Sequence, residues 1–318
     1  MQPRTVFMGS PEFALPSLRL LAQAFSVVGV VTQPDRPAGR GLRICCPPVK
    51  DTAAALGLPI VQLETVNCDD FVAQLKDVAP DLVIVVAFGQ ILCERILTAP
   101  KRGAVNVHAS LLPRYRGVAP INWVIVNGET ETGVTTMFMA RKVDAGEIIL
   151  TRKTAIGPRE TAGELYARLA QTGGDLLVET LDLIAAGTAP RIAQDPALVS
   201  YARKLTREDG AVIWGESSQR VFDRIRGVTP WPGAHTRFKG RSLQILRAEP
   251  GDGRGRRGAP GEVVRLDPEK GIEIATGDGT VWLLDVKPEG KSAMDAASFV
   301  RGYRPAVGDR LGDRPAEA

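Results

Sequence analysis

Short apolar runs alternate with helix-period stretches through the first half of this chain. That alternation narrows the fold more than any other feature. Val83-Ile84-Val85-Val86 is apolar at four successive positions. A strand wetted on one face alternates apolar and polar residues, whereas a continuous run suits a parallel sheet covered on both faces. Strands are predicted at Thr5–Met8, Val27–Thr32, Leu82–Ala87, Ala104–His108, Gly133–Phe138 and Glu147–Lys153. Amphipathic helices are predicted at Glu12–Ala24 and Cys68–Val78, and a long helix from about Thr161 to Ala186. Ser10-Pro11 reads as a helix start, a capping hydroxyl followed by proline at the first helical position. Strands alternating with helices predict an α/β domain built on a doubly wound, mostly parallel sheet.

A sheet of this Rossmann-like type raises dinucleotide binding as a first possibility. The turn after the first strand, Met8-Gly9-Ser10-Pro11-Glu12-Phe13, has a single glycine and places Glu12 where a pyrophosphate would sit. That turn does not support NAD binding. Further on, the polar run from about Asp195 to Asp209 reads as a linker. The chain is accordingly divided into a domain at 1–189, a linker at 190–209 and a second domain at 210–318. In the last of these, a helix near Ser217–Arg226 precedes short β-rich pieces at Ala234–Phe238, Leu243–Ala248, Gly261–Leu266, Ile272–Ala275 and Val281–Val286. Several short strands punctuated by Gly and Pro predict a small β-barrel. The Gly- and Arg-rich tract Gly251–Gly261 reads as a loop, and the tail Gly312–Ala318 as frayed.

Composition bounds the function classes. No apolar run approaches the ~18 residues of a membrane span, and the amino terminus lacks the apolar core and cleavage site of a signal peptide. Cys45, Cys46, Cys68 and Cys93 form neither a disulfide framework nor a CxxC zinc pair. Reduced thiols in a cytoplasmic protein are the expectation. The net charge is +4, and it is unevenly spread. Residues 1–199 hold 19 basic and 19 acidic groups, whereas residues 201–257 hold 13 and 6. A segment this basic suits a polyanionic partner, although a solvated surface has the same composition.

Three constellations carry chemistry. Asn106 and His108 lie two residues apart, hence on one face of their strand. His108 is one of only two histidines in the chain, and it stands at the carboxyl end of that strand, where open α/β sheets bind ligands. An amide beside an imidazole can hold a developing oxyanion and move a proton. Asp144, in the turn Val143-Asp144-Ala145-Gly146, is placed to hold that imidazole in one orientation, although Asp before Gly is also ordinary turn chemistry. The loop Gln33–Arg43 carries Arg36, Arg40 and Arg43 among flexible glycines, and suits a clamp ordered by a polyanion.

These residues together resemble the methionyl-tRNA formyltransferases over nearly the whole chain. The resemblance rests on Gly9-Ser10-Pro11-Glu12-Phe13, the Thr32–Gly41 segment, Asn106-Val107-His108 with Ser110-Leu111-Leu112-Pro113, and Asp144-Ala145-Gly146. It continues through Pro230-Trp231-Pro232 and Ala275-Thr276-Gly277-Asp278-Gly279. It implies an enzyme that passes the formyl group of 10-formyltetrahydrofolate to the α-amino group of methionine on initiator methionyl-tRNA, with no metal. Asn106, His108 and Asp144 become the catalytic trio, and Ser110, Leu111, Leu112 and Pro113 border the folate. The loop around Arg40 is implied to approach the tRNA acceptor end, and the terminal domain to be an OB-like, tRNA-contacting barrel. Arg36, Arg40, Arg43, Lys204, Arg207, Arg237 and Lys239 are the expected tRNA-binding cations. A monomer without membrane association is expected.

Three rival readings remain at this stage. A folate formyltransferase acting on a small amine would share the trio but need neither the arginine loop nor a basic barrel. A folate hydrolase would use water in place of the amine. A non-catalytic RNA-binding protein would have no use for an intact Asn106/His108/Asp144 set.

Overall fold

The computed structural model describes residues 3–38, 43–251 and 258–312. The chain divides into two compact units. One comprises Met1–Pro120, Glu131–Ala155 and Tyr166–Ala202, the other Ile121–Thr130, Ile156–Leu165 and Arg203–Ala318.

The first unit holds strands β1 (Arg4–Gly9), β2 (Ser26–Thr32), β3 (Arg36–Ala38), β4 (Arg43–Cys45), β5 (Ile60–Gln62), β6 (Leu82–Val86), β7 (Ala104–His108), β8 (Arg116–Gly117), β9 (Glu131–Phe138), β10 (Ile148–Ala155) and β11 (Tyr201–Ala202). Seven of them form one sheet in the order β10-β9-β7-β6-β1-β2-β5. Strands β7, β6, β1, β2 and β5 run parallel to one another, and β9 is antiparallel to both β7 and β10. The central β6 is buried at all five positions, as its unbroken apolar run requires. Helices α1 (Leu15–Ala24), α2 (Pro48–Ala55), α3 (Asp69–Val78) and α4 (Glu94–Leu97) follow the early strands, and the 25-residue α6 (Ala162–Ala186) comes after α5 (Pro120–Val126) and β10. On one face of the sheet, Val6, Met8, Val83 and Val85 pack with Phe71, Val72 and Leu75 of α3. Full burial of each such side chain stabilises the fold by about 1.5–3 kcal/mol.

Two local expectations are corrected. Ser10 does not cap a helix. A 3-10 turn at Glu12–Ala14 follows Pro11, and α1 begins only at Leu15. The Ser10 hydroxyl instead accepts hydrogen bonds from the Gln33 N–H (3.1 Å) and the Thr32 hydroxyl (3.3 Å), so it ties the end of β1 to the end of β2. The loop Gln33–Arg43 is not wholly irregular either, because β3 and β4 pair as a short antiparallel hairpin at its base.

The second unit is a six-stranded antiparallel sheet. It consists of β12 (Ala234–Phe238), β13 (Arg241–Pro250), β14 (Val263–Asp267), β15 (Gly271–Ala275), β16 (Thr280–Pro288) and β17 (Met294–Asp295), with α7 (Ser218–Gly227) before it and α8 (Ala296–Tyr303) after it. Its order is β12-β13-β16-β15-β14, with β17 on β16. The two edges do not stay open. Leu311 bridges to Phe238 and Arg310 bridges to Glu262, so the terminal segment joins the β12 edge to the β14 edge and closes a small barrel. Closure of this kind removes the exposed edge that invites strand pairing with another chain. Ile245, Ile272, Ile274, Val281 and Leu283 fill the barrel with Val221 and Ile225 of α7 and Phe299 of α8. Most of the Gly251–Gly261 tract and most of the terminal tail lie outside the described residues.

Candidate active site

Asn106 and His108 sit on β7 between β6 and β9, Asn106 opposite Val85 and Met137, His108 opposite Thr135. The position of His108 at the carboxyl end of its strand is as the sequence predicts. Its ring is 7% exposed. His108 Nε2 lies 2.9 Å from the Tyr115 carbonyl oxygen. A carbonyl only accepts, so Nε2 carries the proton and the Nδ1 lone pair is left over in the neutral ring. Nδ1 is 3.7 Å from Asp144 Oδ2, beyond hydrogen-bond reach and within ion-pair range. The ring is therefore oriented by a backbone carbonyl, and the carboxylate faces its other nitrogen.

Asp144 belongs to the turn between β9 and β10 and holds φ +50°, a left-handed conformation that costs an L residue of order 1 kcal/mol or more. Its Oδ2 accepts a hydrogen bond from the Gly117 N–H at 2.8 Å. Two residues on, a Cβ on Gly146 would stand 1.7 Å from the Phe138 carbonyl oxygen, so only glycine lets the turn pass that strand. Asn106 is half-buried, and its carboxamide makes no hydrogen bond with any described residue. Of the trio, it is the side chain with donors and an acceptor to spare.

The Ser110–Pro113 run leaves the end of β7. Ser110 is fully buried, and its hydroxyl donates to the Arg114 carbonyl at 2.7 Å, which shapes the turn. Its own carbonyl accepts from Thr135 Oγ1 at 2.7 Å, and that same oxygen accepts the Leu112 N–H at 3.2 Å. Leu112 is buried with Met137 and Ile148, while Leu111 and Pro113 are half-exposed.

The basic candidates divide between the units. Arg36 is exposed on β3 and ion-paired with Glu64. The Arg43 backbone pairs with Ala38, and Arg40 lies outside the described residues. The base of this loop is anchored through Asp35, which accepts from Gln62 Nε2 at 2.8 Å and pairs with Lys50 at 2.5 Å. The Gln62 bond, then the Lys50 bond, hold the Asp35 carboxyl below its ordinary range. In the second unit Lys204, Arg207 and Arg237 are exposed. Lys239 pairs with Asp309 at 3.1 Å.

Sequence reasoning missed four residues that build the site. Tyr115, Arg116, Gln194 and Ser200 bond one another or the trio's turns. Gln194 and Ser200 lie in the stretch read as a linker, where composition gives no sign of long-range partners.

Residues 10–181 match the sequence profile described as formyl transferase, and residues 204–304 match the formyl transferase C-terminal domain. The chain belongs to the formyl transferase family. Among curated relatives, a Moorella thermoacetica protein named methionyl-tRNA formyltransferase is 48% identical over 97% of this chain and 99% of its own. One of the same name from Geobacter sulfurreducens is 45% identical over 98% and 97%. Solved structures share the fold at lower identity. The sugar 3N-formyl transferase WlaRD superposes with a TM-score of 0.66 at 18% identity, covering 92% of this formyl transferase and all of that chain. HypX from Aquifex aeolicus, solved with tetrahydrofolic acid, gives 0.63 at 18% identity; it covers this whole chain, which spans half of HypX. Among the described residues, no helix is long and apolar enough to cross a membrane, and no three His, Cys, Asp or Glu side chains are grouped to hold a metal ion.

Proposed function

We propose that this formyl transferase moves the formyl group of 10-formyltetrahydrofolate to the α-amino group of methionine on initiator methionyl-tRNA, as a cytoplasmic monomer serving translation initiation. The observation that carries the reading is the pairing of an unengaged Asn106 carboxamide with a His108 ring fixed at Nε2 and faced by Asp144 at Nδ1. The near-full-length identity to proteins named methionyl-tRNA formyltransferase supports the choice of acceptor. Both folate and tRNA are substrates here.

In this mechanism Asn106 donates to the oxygen that becomes an oxyanion as the amine nitrogen bonds to the formyl carbon. His108 Nδ1 takes the proton released by that nitrogen, and the imidazolium is held by Asp144 on one side and by the Tyr115 carbonyl on the other. As the bond from the formyl carbon to N10 breaks, the same proton passes to N10, so atoms and charge balance. Ser110, Leu111, Leu112 and Pro113 border the folate. Arg36, Arg40 and Arg43 meet the acceptor end, and Lys204, Arg207, Arg237 and Lys239 hold the tRNA backbone. In this division of labour the first unit carries catalysis, and it runs on to Ala202, so that residues 190–202 of the stretch expected as a linker belong to it, while the barrel within 210–318 binds tRNA.

The test is transfer of labelled formyl from 10-formyltetrahydrofolate to initiator methionyl-tRNA, with elongator methionyl-tRNA and free methionine as parallel acceptors. Label on the initiator alone is the expected result. Hydrolysis of the donor with no labelled acceptor would overturn the reading in favour of water as acceptor.

A further inference from the structure

Gln194 spends its whole hydrogen-bonding capacity on two turns of the site. Its Oε1 accepts from Arg116 Nε at 3.1 Å and Nη2 at 2.6 Å, and its Nε2 donates to the carbonyls of Asp144 at 3.0 Å and Gly146 at 2.8 Å. Arginine only donates and carbonyls only accept, so the amide has one possible orientation. Arg116 is 5% exposed, and among the described residues no carboxylate stands within ion-pair distance of it. A buried guanidinium held by a neutral amide is costly to keep, because no opposite charge offsets its desolvation.

The same segment grips the other side of the trio. Ser200 Oγ accepts from the Tyr115 N–H and the Ser200 carbonyl accepts from the Arg116 N–H, both at 2.9 Å, and β11 pairs in parallel with β8. Tyr115 in turn holds His108 by its carbonyl, and Gly117 holds the Asp144 carboxylate by its N–H. Upstream, Ile192 exchanges backbone bonds with Ile148 of β10 at 2.8 and 3.0 Å. The backbone of the left-handed Asp144 is thereby fixed at its own carbonyl.

We infer that Gln194 is a positioning residue for formyl transfer: its carboxamide, locked by buried Arg116, sets where the Asp144 carboxylate stands relative to His108. This rests on the reading of Asp144 as part of the catalytic trio. Gln194→Glu is the informative substitution. It keeps an acceptor for Arg116 and gives that cation a carboxylate, but it removes both N–H donors to the Asp144 turn. Because a displacement near 1 Å can cost about 10²-fold in rate, single-turnover formylation of initiator methionyl-tRNA is expected to slow about 100-fold. KM for the tRNA and the melting temperature are expected to hold.

A double-mutant comparison decides whether the effect runs through Asp144. Added to Asp144→Ala, Gln194→Glu is expected to cost no further rate, since residues that act as a unit are strongly non-additive. A Gln194→Glu rate within threefold of the parent overturns the inference. So does a full additional loss on the Asp144→Ala background, or a loss confined to KM for tRNA, as a mere linker would give. If Asp144→Ala itself keeps the parental rate, the trio assignment fails instead.

Discussion

At the residue scale the site rests on what each side chain has left to offer. His108 has spent Nε2 on Tyr115, Asp144 has spent part of Oδ2 on Gly117, and Asn106 has spent nothing. Removing an oxyanion donor costs about 10²–10³ in kcat and removing a general base about 10²–10⁴, so Asn106→Ala and His108→Ala are expected to lose those amounts respectively while melting within a few degrees of the parent. Steady-state formylation beside a thermal scan checks this, and a variant retaining most of the rate would sink its residue's role. Gly146→Ala is a different experiment, because the added Cβ meets a backbone oxygen that cannot swing away. It is expected to displace the Asp144 turn, to destabilise by about 1–3 kcal/mol in a denaturant titration and to lose activity as well. Unchanged denaturation with full activity would show that the turn tolerates another path. The pair Asn106 and His108 was legible from sequence because a spacing of two on a strand fixes a shared face. Gln194 was not, since the three residues it bonds lie 48 to 78 positions away and no local pattern encodes them.

At the scale of elements, periodicity found what burial on both faces or one face dictates. The β6 run, the strand carrying Asn106 and His108 and five of the six barrel strands were readable, the two-residue β17 being the exception. The three-residue edge strand β5 was not, because its burial is only partial and a short half-wet run looks like loop. Ser10 shows a second kind of miss: the hydroxyl that suits a cap equally suits the junction of two strand ends. The turn Arg203–Gly210 offers an element-scale prediction. Asp209 accepts from Arg203 at Nη1 (2.8 Å) and Nη2 and from the Thr206 N–H (2.7 Å). The Arg203 bonds, with those of Thr206, hold its carboxyl down to about 2. A depressed carboxyl stabilises above its unfolded value and loses that contribution as pH falls through its folded one. Melting temperature is thus expected to fall between about pH 4 and pH 2 from this group. Asp209→Asn is expected to be less stable at neutral pH and to lack that increment of the acid loss. Arg203 is 59% exposed, so added salt weakens the effect. Superimposable pH profiles for parent and variant would remove the ion pair as its cause.

At the scale of the whole molecule, the charge surplus has a place. The +7 of residues 201–257 falls almost wholly in the unit that closes as a barrel, whereas the trio belongs to the other unit. Phosphate contacts made by such cations set affinity without reading sequence, whereas RNA is discriminated at unpaired ends and loops. The two cation groups should therefore fail differently. Replacing Lys204, Arg207 and Lys239 together by alanine is expected to weaken initiator and elongator tRNA alike. Every phosphate that is no longer neutralised should lower the slope of log Kd against log salt by about 0.7–0.9. Lys239 should contribute least, since Asp309 already neutralises it at 3.1 Å. Arg40→Ala is expected to leave that slope nearly intact, apart from its own single phosphate, and instead to lower kcat/KM for the initiator relative to the elongator. Binding titrations across a salt series, read beside formylation of both tRNAs, separate the two. If the barrel variant loses discrimination at unchanged slope, the division of labour is reversed, and the terminal domain reads the tRNA rather than merely holding it.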